Sequence, residues 1–221
     1  MTRMSLDRHL REVIDDVLVL GSMVEGAIGR SVESLRQRDM ELSERVIAYD
    51  KEINKKRFEI EEKCVGLIAT QQPTASDLRQ IIATLNIIVD LERIADHAEG
   101  IAIVNIRIGE EPLLKPLIDV PRMAEKAIDM LHRSLEAYLH RDAEAARQIP
   151  AEDDEVDALY NQIYSELLSF MIEDPRTITR ATYLIWVAHN LERIADRVTN
   201  ICERVVYTVT GRMEEIGASK Y

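Results

Sequence analysis

The sequence predicts an all-α protein made of two tandem, pseudo-symmetric, antiparallel three-helix bundles, six helices in all. Three observations predict this fold: an apolar period of about 3.6 residues along nearly the whole chain, a scarcity of aromatic residues, and an internal repeat. Hydrophobic residues make up 46% of the 221 residues and aromatic residues only 5%. The core must therefore be aliphatic, and such a composition suits helices better than sheets.

The first half holds three predicted helices. The first runs from about residue 6 to residue 38, and the second follows Asp39. Pro73 ends the second helix, and Thr74 with Asp77 three residues later is typical of a capping box. A third helix is therefore expected from there to about Ile108.

A segment containing Gly and three Pro, GEEPLLKPLIDVP, interrupts the helical period. After it, the second half predicts a fourth helix to about His140 and a fifth from Asp142 to about Ile172. Asp174 and Pro175 are a cap and a first-turn proline for a sixth helix, which ends near Thr210. These boundaries give a first repeat at 1–110, a linker at 111–121, a second repeat at 122–212 and a frayed tail at 213–221.

The two halves repeat each other. The hexapeptide LERIAD occurs at 91–96 and again at 191–196, 100 residues later. The segment at 38–54 aligns with that at 141–157, and the repeat is therefore a duplicated three-helix unit. Neighbouring helices joined by short turns should be antiparallel.

Each hexapeptide places two acids on one flank of a core stripe. Glu92 and Asp96 share that flank, with Glu99 beside them, and Glu192 with Asp196 repeats the arrangement. Like charges at i,i+4 destabilise a helix by roughly 0.2–0.5 kcal/mol. A repulsive pair that occurs twice indicates a cation or a basic protein partner.

The second helix of each unit carries a matching pair: Asp50 with Asn54, and Asp153 with Asp157. Because consecutive helices pack together, the acidic rows should converge in one groove per unit. Oxygen ligands suit Mg, Ca, Mn or ferric iron, whereas zinc sites favour Cys and His. Since Asn54 is neutral, we expect the first groove to carry less negative charge and to hold a metal less readily.

A non-metal interpretation stays open, because acids flanking a core stripe are common and Arg93 and Arg193 could neutralise them. The net charge of −12 excludes nucleic acid and anionic lipid surfaces as partners, and free phosphate unless a cation intervenes. Cys64 and Cys202 are expected to be buried, reduced thiols. We find no secretory signal and no apolar run that could span a bilayer, so we expect a cytoplasmic protein.

No catalytic motif is present, and we predict that the chain is not an enzyme. A ferritin-like di-iron site needs Glu-x-x-His on two helices. The nearest match, Asp129 with His132, occurs once and lies outside the repeats.

The segments QQPTASDLRQIIATLNIIVDLERIADHAEGI and EDPRTITRATYLIWVAHNLERIADRVTNICERVVYTVTG resemble the PhoU family of phosphate-signalling regulators. The resemblance implies two tandem three-helix bundles and a non-enzymatic, mostly dimeric protein of the bacterial cytoplasm. It also implies repression of phosphate-starvation genes, by linking the ATPase subunit of the phosphate ABC transporter to a membrane sensor histidine kinase.

Some members of that family bind iron or zinc clusters on E/D-x-x-x-D motifs. Carried onto this sequence, the metal-binding positions are Asp50, Asn54, Glu92, Asp96, Asp153, Asp157, Glu192 and Asp196. The leading hypothesis is a non-catalytic, metal-assisted negative regulator of phosphate uptake and signalling. The alternatives are a metal-storage or oxidative carboxylate bundle, and a helical adaptor whose acidic rows stay unfilled.

Overall fold

A computed structural model of the chain describes residues 3–216, with side chains from Leu6 onward, and all regular structure in that range is helical. The helices are α1 Arg3–Gln37, α2 Met40–Gln71, α3 Ala75–Ile108, α4 Asp119–His140, α5 Ala143–Gln148, α6 Asp153–Glu173 and α7 Ile178–Thr210, with 3-10 turns at Ile149–Glu152 and Pro175–Thr177.

The fifth predicted helix is broken in two, which corrects the sequence prediction. Pro150 lies in the 3-10 turn between α5 and α6. Proline has no N–H to donate and its ring clashes with the carbonyl four residues earlier, so a continuous α-helix cannot pass through it. Asp142 is the N-cap of the short helix α5, and its carboxylate accepts hydrogen bonds from the Glu144 and Ala145 N–H groups at 3.0 Å.

The predicted caps at Thr74 and Asp174 are confirmed. The Thr74 N–H donates to the Asp77 carboxylate at 3.0 Å, which satisfies one of the free donors at the start of α3. The Asp174 carboxylate accepts from the Arg176 N–H at 3.0 Å, and Pro175 opens the 3-10 turn that leads into α7.

The helices form two layers. Helices α2, α3, α7 and α6 lie side by side in that order, and α3 with α7 makes the most extensive contact of any pair. Helices α1 and α4 contact each other and pack on one side of this layer, α1 against α2 and α3, and α4 against α6 and α7. The opposite side of the α2–α3–α7–α6 layer is covered by none of the described residues, and we call it the open face.

The core between the layers is aliphatic, as the composition predicted. Leu91, Ile94 and their repeats Leu191 and Ile194 are fully buried. Cys64 and Cys202 are buried free thiols, and burial raises the pKa of each to about 12. Both are therefore protonated and unreactive at neutral pH.

A glycine permits close packing between the two halves. A Cβ on Gly21 of α1 would lie far inside van der Waals contact with the Leu135 side chain of α4. Nearby, the buried hydroxyls of Tyr138 on α4 and Thr84 on α3 hydrogen-bond at 2.6 Å. The two repeats are therefore joined through both layers.

The ends of the second half differ from expectation. Helix α4 begins at Asp119, so the predicted linker at 111–121 is helical in its last residues, while the division into domains stays a prediction. The tail is held as far as Ile216, whose N–H donates to Glu203 at 3.1 Å, and residues 217–221 lie outside the described range. None of the helices in the described range is long and apolar enough to cross a bilayer.

Candidate metal-binding site

The α2–α3 hairpin brings the first set of predicted acids together. Carboxylate oxygens of Asp50, Asp96 and Glu99 lie within 4.8 Å of one another, with Glu92 in the same row of α3. The sequence prediction placed Glu99 beside this row without including it among the ligands. Asp50, Asn54, Glu92, Asp96 and Glu99 are named the first acidic group below.

Positive charge offsets only part of the first acidic group, at Glu92 and Asp96. Burial and the charge of Asp96 raise the pKa of Asp50, and the Asp50 Oδ1 is buried with no hydrogen-bond partner. Burial, together with Asp50 and Asp96, raises the pKa of Glu99. The guanidinium of Arg93 reaches Asp96 at 3.1 Å and Glu92 at 3.6 Å while its side chain stays half-exposed.

Asn54 is turned away from a ligand role in this arrangement. Its amide nitrogen donates to the Asp50 Oδ2 at 2.6 Å. The amide therefore satisfies one oxygen of Asp50 and leaves the other, Oδ1, without a partner. To offer its own oxygen to a cation, the Asn54 amide would have to turn over.

The α6–α7 hairpin assembles Asp153, Asp157, Glu192 and Asp196, the second acidic group. Burial, followed by the charges of Asp196, Asp157 and Glu192, raises the pKa of Asp153 to about 7. Burial also raises the pKa values of Asp157 and Asp196. The Asp153 Oδ1 is buried without a partner, as is the Oδ1 of Asp50 at the corresponding place in the first group.

An arginine neutralises part of the second acidic group. Arg193 donates to both carboxylate oxygens of Glu192 at 2.7 Å and reaches Asp196 at 2.8 Å. His189 Nδ1 lies 3.4 Å from Glu192, whose side chain is only 3% exposed. The non-metal interpretation, neutralisation by Arg93 and Arg193, is therefore partly realised: each arginine pairs with the Glu and the Asp of its own hexapeptide. It does not extend to the Oδ1 of Asp153, which is buried without a partner.

Once Glu99 is counted, each acidic group as defined contains four carboxylates, and the expectation that the first group is less negative stays a prediction. The first has Asn54 where the second has Asp157, and it has Glu99 where the second has Thr199. The signal was available in the sequence, because Glu99 falls on the same helical row as Glu92 and Asp96.

The residues fit a hard cation. In both groups every side chain that could bind one offers oxygen, and one buried carboxylate oxygen has no partner. No cysteine takes part, and His97 is engaged elsewhere, with its Nδ1 2.9 Å from the Asn190 amide oxygen on α7. Among the described residues, only the first acidic group brings three carboxylate oxygens within 4.8 Å of one another. Asp50, Asp96 and Glu99, with Glu92 beside them, would therefore hold a cation as they stand, whereas Asp153, Asp157 and Asp196 would have to move closer together around one.

Comparisons with known proteins agree with this architecture. The PhoU domain model matches residues 17–104 and 120–205. The chain is 38% identical to the phosphate-specific transport system accessory protein PhoU homolog of Clostridium acetobutylicum, over 98% of this chain and 99% of that protein. It is 35% identical to the phosphate-specific transport system accessory protein PhoU of Escherichia coli K12, over 96% of this chain and 91% of that one.

Solved structures give the same answer. The crystal structure of PhoU from Pseudomonas aeruginosa superposes with a TM-score of 0.88 and 35% identity, covering 93% of this chain and 99% of that one. The phosphate transport system regulatory protein PhoU from Streptococcus pneumoniae gives 0.89 and 31%, covering 96% and 100%. Both the predicted fold class and the resemblance are confirmed, and the chain belongs to the PhoU family.

Proposed function

We propose that the chain is a non-catalytic regulator that restrains phosphate uptake and the phosphate-starvation response. The observation that carries this proposal is the nearly full-length similarity to proteins named as accessory to phosphate-specific transport. The non-enzymatic role is supported by those names, because the relatives are described as accessory or regulatory proteins.

The partners we propose are the ATPase subunit of the phosphate ABC transporter and a membrane sensor histidine kinase. By contacting both, the protein would report transport activity to the kinase from the cytoplasm, acting as a homodimer. A protein of charge −12 repels free phosphate, so coupling through protein contacts is favoured over direct binding of the anion.

The metal part of the proposal rests on the two acidic groups. A cation bound there would offset the repulsion among four carboxylates in each group and would link α2 to α3 and α6 to α7. Iron or zinc is the choice that the family resemblance implies, and Mg, Mn or Ca also suit the oxygen donors. The competing metal-storage or oxidative role would need redox turnover at these same groups.

The regulatory role is tested genetically. Deleting the gene should raise transcription of phosphate-starvation genes in phosphate-rich medium, and restoring the wild-type gene should reverse it. Unchanged transcription, once a redundant second copy has been excluded, would contradict the proposal.

The metal sites are tested by elemental analysis and titration calorimetry on the purified protein. Asp50→Asn/Glu99→Gln should abolish binding at the first acidic group, and Asp153→Asn/Asp196→Asn at the second. Asp129→Asn removes an exposed carboxylate outside both groups and serves as the matched control. If neither the wild type nor the control binds metal, the protein is a helical adaptor whose acidic groups stay unfilled. Oxygen-dependent oxidation of ferrous iron with turnover would favour the oxidative alternative.

A further inference from the structure

Large apolar side chains are concentrated on the open face. On the first hairpin, Phe58 and Val65 of α2 are 56% and 55% exposed, and on the second, Ile172 of α6 is 74% exposed. We define two outer patches by their exposed residues: the first is Phe58, Val65, Ile68, Leu78, Ile82 and Val89, and the second is Tyr164, Leu168, Ile172, Ile178 and Trp186.

Each outer patch continues the row of an acidic group. On α3, Leu78, Ile82 and Val89 stand at helical spacing with Glu92 and Asp96. On α2, Phe58 and Val65 follow Asp50 and Asn54 in the same way. Because α2 and α3 are antiparallel, the apolar ends of both rows lie at one end of the hairpin and the acidic ends toward the other. The α6–α7 hairpin repeats this order.

Contacts between α3 and α7 fix where these surfaces lie. The Arg197 guanidinium donates to Asp90 at 3.3 Å, and His97 pairs with Asn190 at 2.9 Å. The later residue of α3 thus contacts the earlier residue of α7, so the two helices are antiparallel. This register places both acidic groups near the middle of the open face. The first and second outer patches then lie at opposite ends of it.

This layout decides among possible occupants of the open face. A second copy laid on it would bring its own acidic groups over those of the first, or over an apolar patch, and both arrangements are unfavourable. An anionic membrane would be repelled by the central carboxylates. A helix with large apolar side chains at one end and Lys or Arg at the other complements each half of the face.

We propose that each half of the open face is a groove for an amphipathic helix of a partner protein. Its apolar side chains would cover the outer patch and its basic side chains would lie over the acidic group. The stretch of α2 from Asp50 to Ile68 is about 27 Å long at 1.5 Å per residue, which is about five turns of a partner helix. The surface predicts the chemistry of the partner helix, apolar at one end and basic at the other. Only the identity of the partner protein rests on the proposed function.

The groove also makes helix binding and cation binding compete. A cation on the first acidic group reduces the negative charge that attracts the basic end of the helix. Because the coupling is reciprocal, a bound helix must lower the affinity for the cation by the same factor. Metal occupancy would then control partner docking at the same carboxylates.

The test uses a designed, fluorescein-labelled 18-residue helical peptide, with Leu on one face of its first half and Lys on that face of its second half. Lysine at the carboxyl-terminal end also favours the helix dipole. Binding to the full-length protein is followed by fluorescence anisotropy in EDTA. We expect saturable binding of the Lys peptide in EDTA, and at least tenfold weaker binding of a peptide with Glu in place of Lys. Binding of the Lys peptide should also weaken in high salt, and, at low salt, when a divalent metal ion replaces EDTA.

The variant Val65→Ser/Leu168→Ser, one exposed residue from each outer patch, should weaken binding about tenfold. The control is Val19→Ser/Leu139→Ser, which removes exposed apolar side chains from α1 and α4, on the other side of the molecule, and should bind as wild type does. All three proteins should share one thermal unfolding midpoint, because the substitutions are on the surface.

Equal loss in both variants, equal binding of the Glu peptide, or stronger binding with metal would each overturn the proposal. So would sedimentation showing a dimer that only Val65→Ser/Leu168→Ser dissociates, since the open face would then bind a second copy. Binding to phosphatidylglycerol vesicles, lost in that same variant, would assign the face to membrane instead. If deleting the gene raises phosphate-starvation transcription as expected but the protein does not bind the peptide, the groove is rejected and the regulatory role stands.

Discussion

At the scale of single residues, the surroundings of Asp153 shift its pKa far enough to make the stability of the protein depend on pH. Burial and four neighbouring acids raise its pKa from 3.8 to about 7. The folded state therefore binds a proton more tightly than the unfolded state, and this group lowers stability as pH rises from about 4 to about 7. The penalty is fully present above pH 7 and absent below pH 4.

Asp153→Asn should remove that penalty. In EDTA at pH 8 we expect the free energy of unfolding in urea to rise by about 1 kcal/mol, a value reduced from the full pKa shift because the side chain is partly exposed. The gain should disappear by about pH 4. Glu62→Gln, which removes an exposed acid on α2 outside both acidic groups, should change little at either pH. A loss of stability at pH 8 would show that the Asp153 charge is compensated in the folded protein.

At the scale of helices, periodicity and caps predicted most of the elements, because both are local properties of the chain. The capping box at Thr74 marks the start of α3, and the Asp174 cap marks the start of the 3-10 turn that precedes α7. The apolar period runs through Pro150 without interruption, so it predicted one helix where backbone chemistry imposes two. Whether Asn54 offers oxygen or nitrogen depends on its contact with Asp50, which periodicity cannot encode.

The packing of α1 on α4 supplies a prediction at the same scale. Gly21→Ala places a methyl group against the buried Leu135 side chain, which cannot move aside freely. We expect a loss of about 1–3 kcal/mol in the free energy of unfolding. Gly29→Ala on the same helix meets no atom within 4 Å, so its higher helix propensity should raise stability by up to about 1 kcal/mol.

A double-mutant cycle checks the cause. Leu135→Ala alone leaves a cavity and should destabilise the protein, but Gly21→Ala should cost much less in that background. Additive effects of the two substitutions would mean that Gly21 matters for some reason other than its contact with Leu135.

At the scale of the whole molecule, the repeat in the sequence suggests two units, whereas the contacts join them. Helices α3 and α7 pack along each other more extensively than any other pair, and α1 contacts α4. The positions of the acidic groups and outer patches on one face follow from this packing. The sequence therefore predicted which residues form each group, and only the structure shows that both groups share a surface.

This packing predicts that the halves unfold together. Ile94→Ala and its repeat Ile194→Ala each truncate a fully buried side chain, and each should cost about 2–5 kcal/mol. Because α3 and α7 share one core, either substitution should speed hydrogen exchange of the slowest amides in both α2 and α6, and calorimetry should show a single transition. If Ile94→Ala affected only the first half and Ile194→Ala only the second, the repeats would be independent domains, and the α3–α7 contact would be too weak to hold the two acidic groups on one face.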